Sequence, residues 1–414
     1  MNRKNIIHKI IAIILLSLLE IVALRLSSAH SGIWVQSIFI FFNSLLIVFL
    51  LLKTSDKNNK RINTIIAISY LIRVAIIYAN IYFGINFFSG ADTEAFYESA
   101  IGMRAFNHNY VTMLKWLFLV IGNSRIIAEY INVLFSLFTM LVLKKTLFKI
   151  TTKEESLKPL TIYSLGIANI LLSACLLRES ILIFLTATSI YYFIKWFKNG
   201  TLYSFVLSCL FIVLSAWLHS GMLLALIGYS VSYVLYSPKT KNVSFRKNTI
   251  FSLILVLIVS FSFIIAFGSS ITTYFERYQK IENVSTKVSF GNSDYLVFLN
   301  NIKSTPIIIA TTPLKIIYFF LSPMPWDCKS IGMIASFIFS SLLYLFLFIK
   351  IFNKRHISSN LRTLLLINVF LLSIVYSLGT SSAGTAIRHR ENILPYIIVT
   401  YCVSVKRKND NGNE

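Results

Sequence analysis

The residues best suited to chemistry are Arg388, His389, Arg390 and Glu391, which stand just before the apolar run 393–405. Guanidinium groups offer a fixed fork of donors that matches phosphate oxygens. Histidine has a pKa near neutrality and can act as a general acid or base. Together these residues predict a binding site for a diphosphate-containing substrate, with Glu391 as a further contact to that substrate. The alternative is a set of solvated residues that cap a helix.

Two further candidates stand alone in apolar surroundings. Arg178, in "LLRESILIF", is predicted to lie at the tip of a helical hairpin, where it could clamp a phosphate or complete the turn by pairing with Glu179. His219, in "AWLHSGML", precedes a glycine at a second turn. It is a candidate general acid or base, and the alternative is a structural histidine.

The acidic stretch "GADTEAFYESA" (90–100) contains Asp92 and Glu94. Either carboxylate could be a general base for a sugar hydroxyl or part of a sugar-binding rim. A solvated first turn of a helix is the alternative. The Asp-Thr-Glu spacing could hold a divalent metal, but we expect neither a resident metal nor a cofactor. Trp326 offers an apolar ring with a polar edge, which suits either a sugar platform or an interfacial anchor.

Composition determines which elements must position these residues. The chain has 414 residues, of which 56% are hydrophobic and 13% charged, with mean hydropathy +0.72, so it is too apolar for a soluble domain. Apolar runs of about 18–22 residues recur along it, and each could cross a bilayer as a helix. We therefore predict an all-α, polytopic transmembrane bundle that forms a single integral membrane domain over 1–414.

Charge and motifs exclude several classes of function. The net charge is +23, but the lysines and arginines cluster in short loops, where they set topology rather than bind nucleic acid. The four cysteines are scattered and indicate neither a disulfide framework nor a metal site. The sequence contains no G-x-x-x-x-G-K-[ST], which argues against ATP-driven chemistry, and no H-E-x-x-H.

The basic loops predict the topology. If all of them are cytoplasmic, the chain crosses the membrane about twelve times, with both termini in the cytoplasm. The first large outer loop is predicted over 84–125, with a re-entrant or interfacial segment at 111–121. The second is predicted over 269–330, with a lid at 269–305 and a surface helix at 306–321.

Two predicted helical hairpins place the isolated candidates. Residues 160–197 divide into two crossings that turn at Arg178, and residues 201–237 divide into two that turn at His219. Both turns fall at the predicted outer face, as do Asp92 and Arg388. Because ionisable groups are costly at the bilayer centre, their collection at one level predicts a site at the outer interface, open to lipid and water.

Two further features concern the predicted helices. Pro395 has no N–H for the carbonyl of Glu391, so a helix is predicted to start or kink there. Arg73 and Glu20 lie at similar depths in predicted spans and are expected to form a structural ion pair.

The order of five motifs resembles bacterial Wzy-type polysaccharide repeat-unit polymerases, over about residues 85–400. The motifs are "GADTEAFYESA", "LLRESILIFL…YYFIKW", "AWLHSGM", "TPLKIIYFFLSPMPW" and "RHRENILP". The resemblance implies a GT-C-like, glycosyltransferase-type enzyme of the bacterial cytoplasmic membrane. Such enzymes join undecaprenyl-diphosphate-linked oligosaccharides into O-antigen, capsule or exopolysaccharide. It also implies membrane lipid, a flippase and a chain-length regulator as partners. By this resemblance, Arg178, Arg388 and Arg390 are expected to be the substrate-binding residues.

Two other functions stay open at this point. One is a GT-C glycosyltransferase that adds a single sugar from a polyprenyl-phosphate donor. The other is a flippase or exporter of lipid-linked oligosaccharides, which would not need a general base.

Overall fold

The computed structural model describes residues 32–53, 59–85, 90–106, 108–238, 242–243, 305–353, 359–380 and 382–405. About 86% of the described residues are helical. Their strand content is a single antiparallel pair, β1 (Tyr236–Ser237) with β2 (Asn242–Val243), in which Tyr236 faces Val243. The all-α prediction is confirmed.

The helices of the first part of the chain are α1 (Ile33–Lys53), α2 (Lys60–Phe83), α3 (Gly90–Ala100), α4 (Asn109–Ile121), α5 (Arg125–Ile150), α6 (Lys153–Ser164), α7 (Ile167–Ser173), α8 (Glu179–Asn199), α9 (Leu202–Leu218) and α10 (Leu224–Leu235). Those that follow the strand pair are α11 (Thr305–Leu321), α12 (Ile331–Ser336), α13 (Leu342–Phe352), α14 (Asn360–Leu378) and α15 (Ala383–Val405). A π-helical segment, Phe337–Ser341, joins α12 to α13.

The described residues contain six helical segments long and apolar enough to cross a membrane. They are α1, α2, α5, α8, α14 and the continuous segment Ile331–Phe352. Shorter apolar helices include α4 and α9. The apolar runs up to Leu26 and over 249–268 lie outside the described residues, so the total of about twelve crossings stays a prediction.

Packing divides the chain into two compact units, Met1–Leu137 with Ile170–Ser180, and Phe138–Asn169 with Ile181–Glu414. In the first unit, α1 packs against α2 and α3 against α4. The hydroxyl of Tyr70 contacts the hydroxyls of Ser44, at 3.0 Å, and Tyr130, at 2.8 Å, so buried polar groups link its helices.

Arg73 is fully buried in the first unit. Its Nε donates to the hydroxyl of Ser173 at 2.8 Å, and its Nη1 donates to the carbonyl of Ser69 at 3.0 Å. These bonds satisfy part of a guanidinium that is costly to bury. Its predicted partner, Glu20, lies outside the described residues, as does the predicted lid 269–305.

The second unit is built around α15. This helix packs against α6, α11, α13 and α14, and every residue from Arg390 to Ser404 is buried. α15 runs through Pro395 without ending, so of the two predicted outcomes the helix start at that position is wrong, and the kink stays a prediction. The missing N–H removes only one hydrogen bond of the helix, and the surrounding helices hold the segment in place.

Two predicted elements differ in detail. The first crossing of the 160–197 hairpin is broken into α6 and α7 at Leu165–Gly166. The helix predicted at the membrane surface, α11, packs against α14 and α15, and its residues Tyr318, Phe319 and Phe320 are buried. Its apolar C-terminal half is therefore part of the bundle.

Candidate functional site

The two histidines predicted to do chemistry lie side by side in the second unit. His219 stands between α9 and a 3-10 turn, Ser220–Leu223, and His389 lies in the second turn of α15. Their Nε2 atoms are 3.4 Å apart, and the ring planes meet at 85°. Both side chains are half-buried. The sequence marked each residue, but only the packing of the helices brings the two rings together.

Two residues of α14 and the turn after it complete this cluster, and sequence analysis missed both. The ring of Tyr376 is 5.0 Å from that of His219 and 5.1 Å from that of His389, between centroids. The Oγ1 of Thr380 is 3.4 Å from Nδ1 of His389. Residues four apart at a helix end share one face, so the signal available was a tyrosine and a threonine at that spacing just before the "RHRE" stretch.

Arg390 belongs to a different environment although it follows His389 directly. Its side chain is fully buried, and Nη1 donates to the carbonyls of Phe320, at 2.7 Å, and Ser322, at 2.6 Å. Nη2 donates to the hydroxyl of Ser340 at 2.6 Å, within the π-helical segment. The carbonyls at the end of α11 lack partners within the helix and attract positive charge. Arg390 therefore joins the end of α11 to the π-helical segment, and we interpret it as a structural residue rather than as the predicted diphosphate ligand.

Glu391 is likewise buried within the second unit. One carboxylate oxygen accepts a hydrogen bond from the hydroxyl of Tyr344 at 3.2 Å, and the same tyrosine ring lies 5.0 Å from the guanidinium carbon of Arg390. A buried carboxylate needs such donors. We therefore interpret Glu391 as a contact between α13 and α15 rather than as the predicted substrate contact.

Arg388 and Trp326 remain at the periphery of the second unit. Arg388 is half-buried, in contrast to Arg390 two positions further along. Trp326 is 72% exposed, and its indole N–H donates to the hydroxyl of Tyr318 at 3.2 Å. The pKa of the Cys328 thiol, two residues further along, is raised mainly by burial and to a smaller extent by the charge of Asp327. This thiol therefore stays protonated near neutral pH.

The first unit contains the other predicted arginine. Arg178 lies in the turn before α8, as predicted, with its side chain 16% exposed and its Nε 3.9 Å from a carboxylate oxygen of the buried Glu179. Its Nη1 also contacts Nε2 of His108, which sequence analysis missed. His108 caps α4, and its Nδ1 accepts the N–H of Tyr110 at 3.0 Å. The signal available was a polar residue before a short apolar helix.

The acidic helix α3 presents its carboxylates in two ways. Glu94 is 2.6 Å from Arg125, which in turn lies 3.0 Å from the buried Glu129. Glu94 is thus part of an ion-pair network, whereas Asp92 is exposed in the first turn. The part of the chain that the structure describes contains no group of three or more His, Cys, Asp or Glu side chains that could hold a metal ion.

Together these features define a helical protein with several helices apolar enough for a membrane and with ionisable side chains grouped in two places. His219, His389 and Arg388 belong to the second unit, and Arg178, Asp92 and Glu94 to the first. Comparison of the chain with protein-family models, with curated proteins and with solved structures found no match.

Proposed function

We propose that this protein joins undecaprenyl-diphosphate-linked oligosaccharide repeat units into a surface polysaccharide at the outer leaflet of a bacterial cytoplasmic membrane. The observation that carries the proposal is the contact between His219 and His389, next to Arg388, in a bundle of apolar helices. Proton transfer and anion binding are the two functions that such a transfer needs from the protein.

The chemistry divides between the substrate and these side chains. The bond between the anomeric carbon of the donor glycan and its diphosphate oxygen breaks, and the lipid diphosphate leaves with the electron pair. The hydroxyl oxygen of the acceptor unit bonds to the anomeric carbon, and its proton passes to an imidazole. The donor brings its own leaving group, so the reaction needs no nucleotide.

Arg388 is the residue of the second unit that we assign to the departing diphosphate. A guanidinium placed where negative charge grows stabilises the transition state more than the bound substrate. Arg178, in the first unit, stays a candidate phosphate ligand, and Asp92 stays a candidate contact for sugar hydroxyls. The exposed indole ring of Trp326 suits the apolar face of a sugar.

A deletion strain separates this function from the two alternatives. Loss of a polymerase leaves single repeat units on the cell surface, and this is the expected result. Loss of a single-sugar transferase gives a truncated unit, and loss of a flippase leaves complete units trapped inside. Either of these last two phenotypes would contradict the proposal. Gel profiles of surface glycan and of the lipid-linked pool measure all three.

Complementation with variants then tests the site. We expect Arg388→Ala and His389→Ala to give single units only, with normal amounts of protein in the membrane. Arg104→Ala, which removes an exposed arginine outside the candidate site, is the matched control and should give wild-type chain lengths. Long polymer in both site variants would refute the assignment.

A further inference from the structure

The histidine pair belongs to a chain of hydrogen bonds that runs in one direction. The backbone N–H of Gly221 donates to Nδ1 of His219 at 3.2 Å. The Nε2 of His219 contacts Nε2 of His389 at 3.4 Å, and Nδ1 of His389 contacts the Oγ1 of Thr380 at 3.4 Å. The hydroxyl of Thr380 donates in turn to the carbonyl of Tyr376 at 2.6 Å.

The two ends of this series of hydrogen bonds determine which ring nitrogens carry the protons. A backbone N–H can only donate and a carbonyl can only accept. Nδ1 of His219 therefore has no proton, and a neutral imidazole then carries its proton on Nε2. That Nε2–H donates to an unprotonated Nε2 of His389, so the proton of His389 is on Nδ1. Thr380 gives its hydroxyl hydrogen to the carbonyl and accepts the Nδ1–H through its oxygen.

We infer that His389 is the general base that takes the proton of the acceptor hydroxyl, and that His219 is the donor that orients this hydroxyl. The inference rests on the proposed function and adds the separate roles of the two rings. The lone pair on Nδ1 of His219 accepts the backbone N–H of Gly221. The lone pair on Nε2 of His389 is instead directed towards the ring of His219. His389 can therefore gain a proton without losing its bond to Thr380.

The step begins when the acceptor hydroxyl replaces the direct contact of the rings. The hydroxyl donates to Nε2 of His389, and its oxygen accepts the Nε2–H of His219. As the oxygen bonds to the anomeric carbon, its proton moves to Nε2 of His389 and the lipid diphosphate departs with the electron pair. His389 becomes an imidazolium whose Nδ1–H remains on Thr380, and His219 stays neutral.

Gly221 shows that the backbone is shaped for this arrangement. A Cβ at this position would lie 3.2 Å from Nδ1 and 3.3 Å from Cε1 of His219, and 3.5 Å from a ring carbon of Tyr376. Contacts this tight would displace the imidazole or the N–H that caps it. Gly221 and Thr380 are therefore positioning residues, which act on the hydroxyl only through the two rings.

The proton positions can be measured without any substrate. We would label the histidines of the full chain with 15N in lipid nanodiscs and record long-range 1H–15N correlation spectra. Spectra of His219→Gln and His389→Gln assign the two rings. We expect the proton of His219 on Nε2 and that of His389 on Nδ1. The opposite tautomer at either ring would overturn the inference and leave the polymerisation proposal intact.

Polymer assays then test the roles, with protein in the membrane quantified by immunoblot. Glutamine can donate from its amide but is not a base, so His219→Gln should retain more polymer than His389→Gln, which should lose at least about 100-fold. Thr380→Val removes the oxygen that accepts the Nδ1–H of His389, so it should lower the fraction of His389 protonated on Nδ1 and reduce the amount of polymer. Thr380→Ser keeps this oxygen and should have the wild-type tautomer and amount of polymer. The reverse order of the glutamine variants would overturn the assignment. Normal polymer in every variant and in the deletion strain would instead remove the proposed function.

Discussion

Replacing Arg390 by alanine tests whether this residue holds the fold rather than the substrate. The guanidinium donates to two backbone carbonyls and a hydroxyl, all on segments that α15 must hold together. Alanine removes those donors and leaves the carbonyls of Phe320 and Ser322 without their charged partner. It also leaves space beside the ring of Tyr344, over which the guanidinium lies.

The expected loss of stability is large. Hydrogen bonds that involve a charged group contribute about 1.5–3 kcal/mol each. Removal of one member of a buried charged network costs about 3–5 kcal/mol. We expect Arg390→Ala to lose about 3–5 kcal/mol, which corresponds to a fall in melting temperature on the order of 10 °C. Arg390→Lys keeps the charge but not the fork of donors, so its melting temperature should lie between the two.

Thermal unfolding of purified protein in detergent or nanodiscs measures this difference. The matched control is Arg388→Ala, which removes the same side chain from a half-buried position two residues earlier. We expect it to change the melting temperature little while it abolishes polymer. A wild-type melting temperature for Arg390→Ala, together with loss of polymer, would show that Arg390 acts on the substrate and would refute our interpretation.

Two further predictions concern packing. Gly228→Ala would place a Cβ 2.7 Å from Cγ of Asn368, a buried side chain on α14, and should lower the free energy of unfolding by about 1–3 kcal/mol. The control is Gly332→Ala, whose Cβ would meet its nearest neighbour at 3.9 Å and should leave the stability unchanged. Equal melting temperatures would contradict the close approach of α10 and α14. Asn132 donates at 2.8 Å to two carbonyls of the turn before α8, so Asn132→Ala should lose about 2–4 kcal/mol and make that turn sensitive to protease. Resistance equal to wild type would show that the turn holds without it.

Much of the helical framework could be predicted from the sequence. Lengths of apolar runs, and the polar residues that interrupt them, locate helices and turns because the bilayer thickness sets the length of a span. The turns at Arg178 and His219 lie where those interruptions predicted. The break between α6 and α7 was missed, since both helices stay within one largely apolar run.

The roles within the "RHRE" stretch could not be predicted in the same way. Successive residues on a helix point about 100° apart, so Arg388, His389 and Arg390 meet three different environments. Which of them faces a partner helix depends on packing between segments distant in the chain: Ser340 precedes Arg390 by 50 residues, and His219 precedes His389 by 170. Residue type alone gave Arg388 and Arg390 the same role, whereas the packing separates them.

The burial of α15 has a consequence for biogenesis. This helix follows every other described element in the chain, and it carries Arg390 and Glu391 as well as Pro395. A charged residue that a lone helix exposes to lipid costs free energy. A lone α15 in lipid is therefore unfavourable, and we expect this helix to be stably inserted only when α6, α11, α13 and α14, against which it packs, are already present. A chain that stops before residue 383 would leave uncovered the faces of α6, α11, α13 and α14 that contact α15, and we expect membrane proteases to degrade it.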